Sequence, residues 1–219
     1  MQKFQNELIN FYKPVGLSSA AFLNKVKKIY SIKKAGFAGT LDPLAEGVLI
    51  VGTGTATKKL EELTSCNKSY EFTVRFGVQT STGDLGGEII NKNNNIPTMK
   101  EIESILPQYT GKIQQTPHVF SALKHQGKRL CDLKRSGFEG IEEISKSKTR
   151  EIEIFELKLI NQISTIEFIF SASCSKGTYI RSLAEDIAVS LSTVATTIKL
   201  IRTSVGDFDI SNSLKLDLK

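Results

Sequence analysis

Two runs of alternating residues constrain the fold of this chain more than any other feature. Tyr70, Phe72, Val74 and Phe76 are separated by Glu71, Thr73 and Arg75, and Ile166, Phe168, Phe170, Ala172 and Cys174 recur at every second position. A side-chain period of two puts the apolar set on one face of a pleated strand, with the other face left for polar residues. Ile152 and Ile154 begin a third such run, whose phase shifts at Phe155 before Leu157 and Leu159, the signature of a β-bulge. Val48 to Val51 is a short continuous apolar run and reads as a buried strand.

The helical patterns are equally local. Phe22, Leu23, Val26, Ile29 and Tyr30 share one helix face, with Ser18 and Ser19 available as N-caps. Thr55 is placed to cap a helix reaching about Leu63, and Thr98 with Glu101 forms a capping-box pattern ahead of Ile102, Ile105 and Leu106. Ile180, Leu183, Ala184, Ile187, Ala188 and Leu191 line the apolar face of a later helix. Residues 83–95, rich in Gly, Asn and Asp, read as a loop, and residues 137–148 read as a linker. Strands and helices do not alternate as in a doubly wound sheet. The expected class is therefore α+β, with a mixed, largely antiparallel sheet and flanking helices, in a single domain spanning residues 1–219.

A hydrophobic fraction of 40% over 219 residues is enough to build a buried core. Lys and Arg number 29 against 23 Asp and Glu, a formal charge of +6 that leans toward a polyanionic partner. Lysines 25, 27, 28, 33 and 34 crowd the first helix and its exit, either as a solvated face or as an edge facing phosphate. Cys66, Cys131 and Cys174 are far apart and form no CxxC pair, and His118 and His125 have no ligand spacing with them, so neither a disulfide framework nor a metal site is expected. The first residues lack the apolar stretch of a signal peptide, and no apolar run approaches the roughly 20 residues of a spanning helix. A cytoplasmic protein without a membrane segment is expected.

The chemistry points to residues 36–47, Gly-Phe-Ala-Gly-Thr-Leu-Asp-Pro-Leu-Ala-Glu-Gly, where one carboxylate sits in a glycine-punctuated, apolar segment. Pro43 biases Asp42 away from α geometry, into an extended or turned loop that displays its oxygens. The same Asp-Pro pair also serves as an ordinary turn opener. Arg181, near the start of the last helix, is a candidate partner, because a paired guanidinium keeps a carboxylate ionised and fixes its direction. Tyr70 and Tyr179 could stack on unpaired bases or belong to the core. Gly52-Thr53-Gly54 followed by Lys58 matches neither Walker A nor the dinucleotide fingerprint and reads as a strand-to-helix turn.

Taken together these segments resemble the tRNA pseudouridine synthase B (TruB) family, in order, from about Leu8 to Phe208. The blocks are Tyr12-Lys13-Pro14-Val15-Gly16-Leu17-Ser18-Ser19, Ala35 through Gly47, Lys68-Ser69-Tyr70, Ser121-Ala122-Leu123-Lys124, Gln126-Gly127-Lys128, and Cys174 through Arg181. The resemblance implies Asp42 as the catalytic aspartate, Arg181 as its ion-pair partner, and Tyr70 as the ring that stacks on the target base. It places Tyr179 and Leu200 in the substrate pocket and Lys13, Lys58 and Lys124 along the RNA, as phosphate contacts or as supports of the site. The implied reaction isomerises uridine 55 in the T-loop of tRNA, without a cofactor, in a monomer that needs no obligate protein partner. Attack of Asp42 on C6 of the base, attack on C1′ of the sugar, and action through charge and proton transfer all remain open. Two departures stand out. Phe37 occupies the place of histidine in the family's Gly-His-x-Gly block, and the chain ends soon after Phe208, with no room for the C-terminal RNA-binding PUA domain of many relatives. A non-catalytic RNA-binding protein and a synthase acting on ribosomal RNA are the competing readings.

Overall fold

The structure, a computed structural model, describes residues 4–217. The regular elements, in chain order, are β1 (Leu8–Lys13), α1 (Ser19–Ile29), β2 (Ala35–Ala38), β3 (Ala45–Thr53), α2 (Leu60–Ser65), β4 (Lys68–Phe76), β5 (Val78–Thr80), β6 (Ile89–Lys92) and α3 (Met99–Ile105). They continue as β7 (Gly111–Gln115), β8 (Lys124–His125), β9 (Lys128–Arg129), α4 (Leu130–Arg135), α5 (Ile141–Lys146), β10 (Arg150–Gln162), β11 (Glu167–Cys174), α6 (Ile180–Ser190), β12 (Ala195–Val205), β13 (Phe208–Asp209) and β14 (Leu214–Lys215). The fold is α+β, and its strand pairing is mixed but largely antiparallel. The chain divides into two compact units, one holding the chain up to Glu71 and again from Lys199, the other Phe72–Ile198.

The first unit is organised around β3, a nine-residue strand buried along almost its whole length. β1 pairs with it antiparallel, setting Phe11 opposite Leu49 and Lys13 opposite Gly47. β2 pairs antiparallel as well, whereas β12 runs parallel to it with Arg202 opposite Gly47. Helix α1 covers this sheet because Phe22 and Val26 point inward from one of its faces, and Phe22 meets Phe11 edge-on at 6.0 Å. The Ser18 hydroxyl accepts from the Ala21 amide at 3.1 Å, so the helix starts where its cap residue dictates.

In the second unit β10 pairs antiparallel with both β11 and β7. The alternating aromatics do what their period requires. Phe72 stacks on Phe170 at 5.4 Å, and Phe76 meets Phe168 edge-on at 5.5 Å. The register of β10 against β11 shifts between Ile154 and Glu156, which is the bulge marked by Phe155. Thr98 and Glu101 close a reciprocal capping box at the start of α3.

Three local expectations are corrected. The linker expected over 137–148 contains α5, whose Ile141 and Ser145 are buried while Gly137 and Gly140, both at positive φ, make the turns before it. The loop expected over 83–95 contains β6, fully exposed, which pairs antiparallel with β5. Thr55 caps no α-helix. Residues 54–59 form a 3₁₀ turn whose Thr55 amide donates to Asn6 Oδ1, and α2 begins only at Leu60.

Candidate functional site

Asp42 lies in the turn between β2 and β3, and its backbone carbonyl accepts from the Ala45 amide at 3.1 Å. Three other hydrogen bonds hold that turn in place. The Ser19 hydroxyl both donates to the Leu41 carbonyl and accepts from the Leu41 amide, at 3.0 and 2.8 Å, and the Gly16 amide donates to the Pro43 carbonyl at 2.8 Å. The segment 16–19 and the segment 41–43 thus form one backbone frame, and the carboxylate rides on it. Asp42 is only partly covered.

Lys13 and Arg202 are two of the buried cations of the same unit. Lys13 is 0% exposed, and its Nζ donates to the carbonyls of Pro14 and Leu17 at 2.9 and 2.7 Å. Burial pulls its pKa down to about 8; the charge of Asp42 works against that shift, and Arg202 adds to it. Arg202 is 1% exposed, and burial pulls its pKa below the usual arginine value. Sequence reasoning missed Arg202, because a lone arginine inside an apolar strand carries no motif. Tyr70 is 8% exposed at the start of β4 and its side chain hydrogen-bonds Arg202. Phe37 and Leu200 are both half-buried against the core that contains Phe11, Leu41 and Leu49. Lys58 is exposed.

An unfolded lysine keeps its proton to a pH of about 10.4, so between about 8 and that value the unfolded chain binds more protons than the folded one. Stability from this group therefore rises with pH while the positive charge facing Asp42 is lost. Turnover is expected to fall as pH passes about 8. A pH–rate profile of wild type against Lys13→Met checks this, and an alkaline limb that persists unchanged in the variant would assign the titration elsewhere.

In the second unit Arg181 sits in the first turn of α6 at 4% exposure, not on the polar side of the helix. Its Nη1 donates to the Thr82 carbonyl at 2.6 Å and its Nη2 to the Phe120 carbonyl at 3.1 Å. The Asp84 carboxylate lies 3.7 Å from Nη1 and also accepts from the Thr82 hydroxyl and the Gly86 amide, at 2.7 and 2.9 Å. Asp84 escaped notice within a glycine-rich loop, although an aspartate whose side chain accepts from the amide two residues on is a recognisable turn signal. His118 faces Glu185 at 3.7 Å; burial, with Arg181 adding, pulls His118 down to about 4, and burial pushes Glu185 up to about 7. The backbone of Tyr179 is fixed by both ends of the Gln115 amide, and Arg150 lies over its ring at 5.3 Å. Lys124 is exposed on the β8–β9 hairpin. Among the described residues no group of three His, Cys, Asp or Glu is arranged to hold a metal ion, and no helix is long and apolar enough to cross a membrane.

Residues 27–180 match the family model described as TruB family pseudouridylate synthase, N terminal domain. The chain is 42% identical over 213 residues to the tRNA pseudouridine synthase B of Rickettsia akari (strain Hartford), covering 96% of this chain and 71% of that protein. It is 42% identical over 212 residues to the protein of the same name from Ehrlichia ruminantium (strain Gardel), covering 95% and 69%. Among solved structures, a Cbf5-Nop10-Gar1 complex contains a chain that superposes with a TM-score of 0.73 at 26% identity, over 97% of this chain. This chain spans about half, 53%, of that longer one.

Proposed function

The chain belongs to the TruB family of pseudouridylate synthases, and from that membership we propose that it isomerises uridine 55 in the T-loop of tRNA to pseudouridine, acting in the cytoplasm as a monomer. The observation that carries the assignment to Asp42 is its setting, a carboxylate displayed on a hydrogen-bonded turn in the same unit as the buried cations Lys13 and Arg202. The reaction breaks the N-glycosidic bond of the uridine, turns the uracil and rejoins it to the ribose through C5. A stacked T-loop shields the glycosidic bond, so the nucleotide is turned out of the helix before chemistry, at a cost of a few kcal/mol in lost stacking. Tyr70 takes up part of that cost by stacking on the extruded base, and Arg181 is assigned a catalytic role as well. Asp42 acts through its carboxylate oxygens, on the base or on the sugar.

The exposed lysines Lys58 and Lys124 are assigned to the phosphates of the stem-loop, and Phe37, Tyr179 and Leu200 to recognition of the substrate. Phosphate contacts position the RNA and bring salt dependence. Log affinity for tRNA is expected to fall with log salt by about 0.7 to 0.9 per phosphate neutralised. Filter binding across a salt series measures the slope, and a flat response would remove the phosphate interface. The reaction itself is tested by incubating the purified protein with an unmodified tRNA transcript, nothing else added, and detecting pseudouridine position by position. Product at position 55 is the expected result, and its absence would refute the assignment.

A further inference from the structure

Among the described residues Arg202 bonds to three groups, which lie in or next to the segments assigned to the reaction. Its Nε donates to the Val48 carbonyl at 2.8 Å, its Nη2 donates to the Gly39 carbonyl at 3.0 Å, and the Tyr70 side chain accepts from the same guanidinium. Gly39 and Val48 stand on either side of Asp42 in sequence, one before the turn and one after it. The guanidinium therefore spans the base of the Asp42 segment and is tied at its third point to the Tyr70 side chain. A planar guanidinium spreads five fixed donors over three nitrogens and reaches acceptors on separate segments, whereas an ammonium offers its three donors from a single nitrogen on a flexible stem.

The backbone is built around this contact. Gly47 lies opposite Arg202 in the β3–β12 register at φ +105°, and a Cβ there would fall 2.2 Å from the Arg202 carbonyl oxygen. At Gly39, φ +67°, a Cβ would sit 3.3 Å from Arg202 Nη1. Gly47 lets the strand carrying Arg202 approach so closely, and Gly39 leaves room for the guanidinium. No buried carboxylate is needed to explain Arg202, because its partners are two carbonyls and a hydroxyl at the ends of the functional segment. A buried charge held mainly by neutral groups is costly unless its hydrogen bonds are well made, and here they are made to the backbone of the candidate site.

We propose that Arg202 is the positioning residue of this site, clamping the Asp42 turn closed and fixing Tyr70 to it, so that the acid and the stacking ring move as one body. The inference rests on the reading of Asp42 and Tyr70 given above, and adds to it the group that sets their mutual geometry.

The test uses the whole protein and an unmodified tRNA transcript. Arg202→Lys keeps the charge and shortens the fork. Its single-turnover rate is expected to fall about 10- to 100-fold, the scale of one or two lost charge-assisted hydrogen bonds, while tRNA affinity changes little. Combining it with Tyr70→Phe should cost less than the product of the two separate losses, since both variants break the same bond. A wild-type rate in Arg202→Lys, or strictly multiplicative losses in the double variant, would overturn the clamp. Should Arg202→Lys fail to fold, Tyr70→Phe alone still decides the matter by NMR. The Arg202 Nε–H resonance and the amides of residues 39–48 should shift in that variant, and unchanged signals would overturn the proposal. These resonances report on the clamp even if the wild type makes no pseudouridine, an outcome that would sink the functional reading alone.

Discussion

Asp42→Asn should lower pseudouridine formation by about 10⁴-fold or more, equivalent to roughly 5.5 kcal/mol at the transition state, while tRNA binding stays close to wild type. The amide is nearly isosteric with the acid, and backbone and Ser19 hydroxyl contacts that the substitution leaves in place hold the turn that carries it. The substitution therefore removes the charge and the nucleophilic oxygen and leaves the frame intact. Asparagine can neither attack C6 or C1′ nor stabilise developing positive charge on the sugar, so the prediction holds for every chemical route left open. The measurement is a single-turnover assay on a T-loop transcript, with affinity determined on the same preparation. Modification that survives at a wild-type rate would return the protein to the class of RNA-binding modules. A parallel loss of binding would instead make Asp42 part of the RNA contact surface.

The sequence carried those elements whose signals are local. The Ser18 cap, the Thr98–Glu101 box, the apolar face of α6 and the phase shift at Phe155 each rest on a pattern contained within a few residues, and each appears in the structure. What escaped depends on partners distant in the chain. β6 has no alternation because both of its faces are exposed, so only pairing with β5 makes it a strand. α5 is six residues long, too short for a helical period to emerge beside Gly137 and Gly140. The candidate site divides in the same way. Asp42 was legible because Gly, Asp and Pro mark a turn by their own backbone preferences. Arg202 and Asp84 were not, since a buried guanidinium held by residues 48 and 39, or a carboxylate 97 positions from its arginine, leaves no trace in spacing.

Tyr70→Ala is the second large effect, and its value lies in how the loss divides between binding and turnover. If Tyr70 only offered a stacking face, removing the ring would cost about 1–3 kcal/mol of affinity, as base–aromatic stacks generally do, and catalysis by bound RNA would be spared. Tyr70 is also buried, and its side chain is bonded to Arg202, whose other donors hold the carbonyls of Gly39 and Val48. Truncation therefore empties buried space and frees one arm of the guanidinium that holds the carbonyls of Gly39 and Val48. Turnover is expected to drop about 10²-fold, with affinity changed by less than about tenfold. Truncating a buried aromatic to alanine costs about 3–5 kcal/mol of stability, so urea denaturation must first show that the variant is folded at the assay temperature. Tyr70→Phe separates the two contributions, because it keeps the ring for stacking and removes only the hydroxyl that Arg202 holds. A turnover loss in Tyr70→Ala no larger than its affinity loss would mean that the ring is a platform for the base and nothing more. The misplacement of a catalytic group by about 1 Å is enough for a 10²-fold loss, so a loosened Asp42 turn is sufficient to account for the larger number.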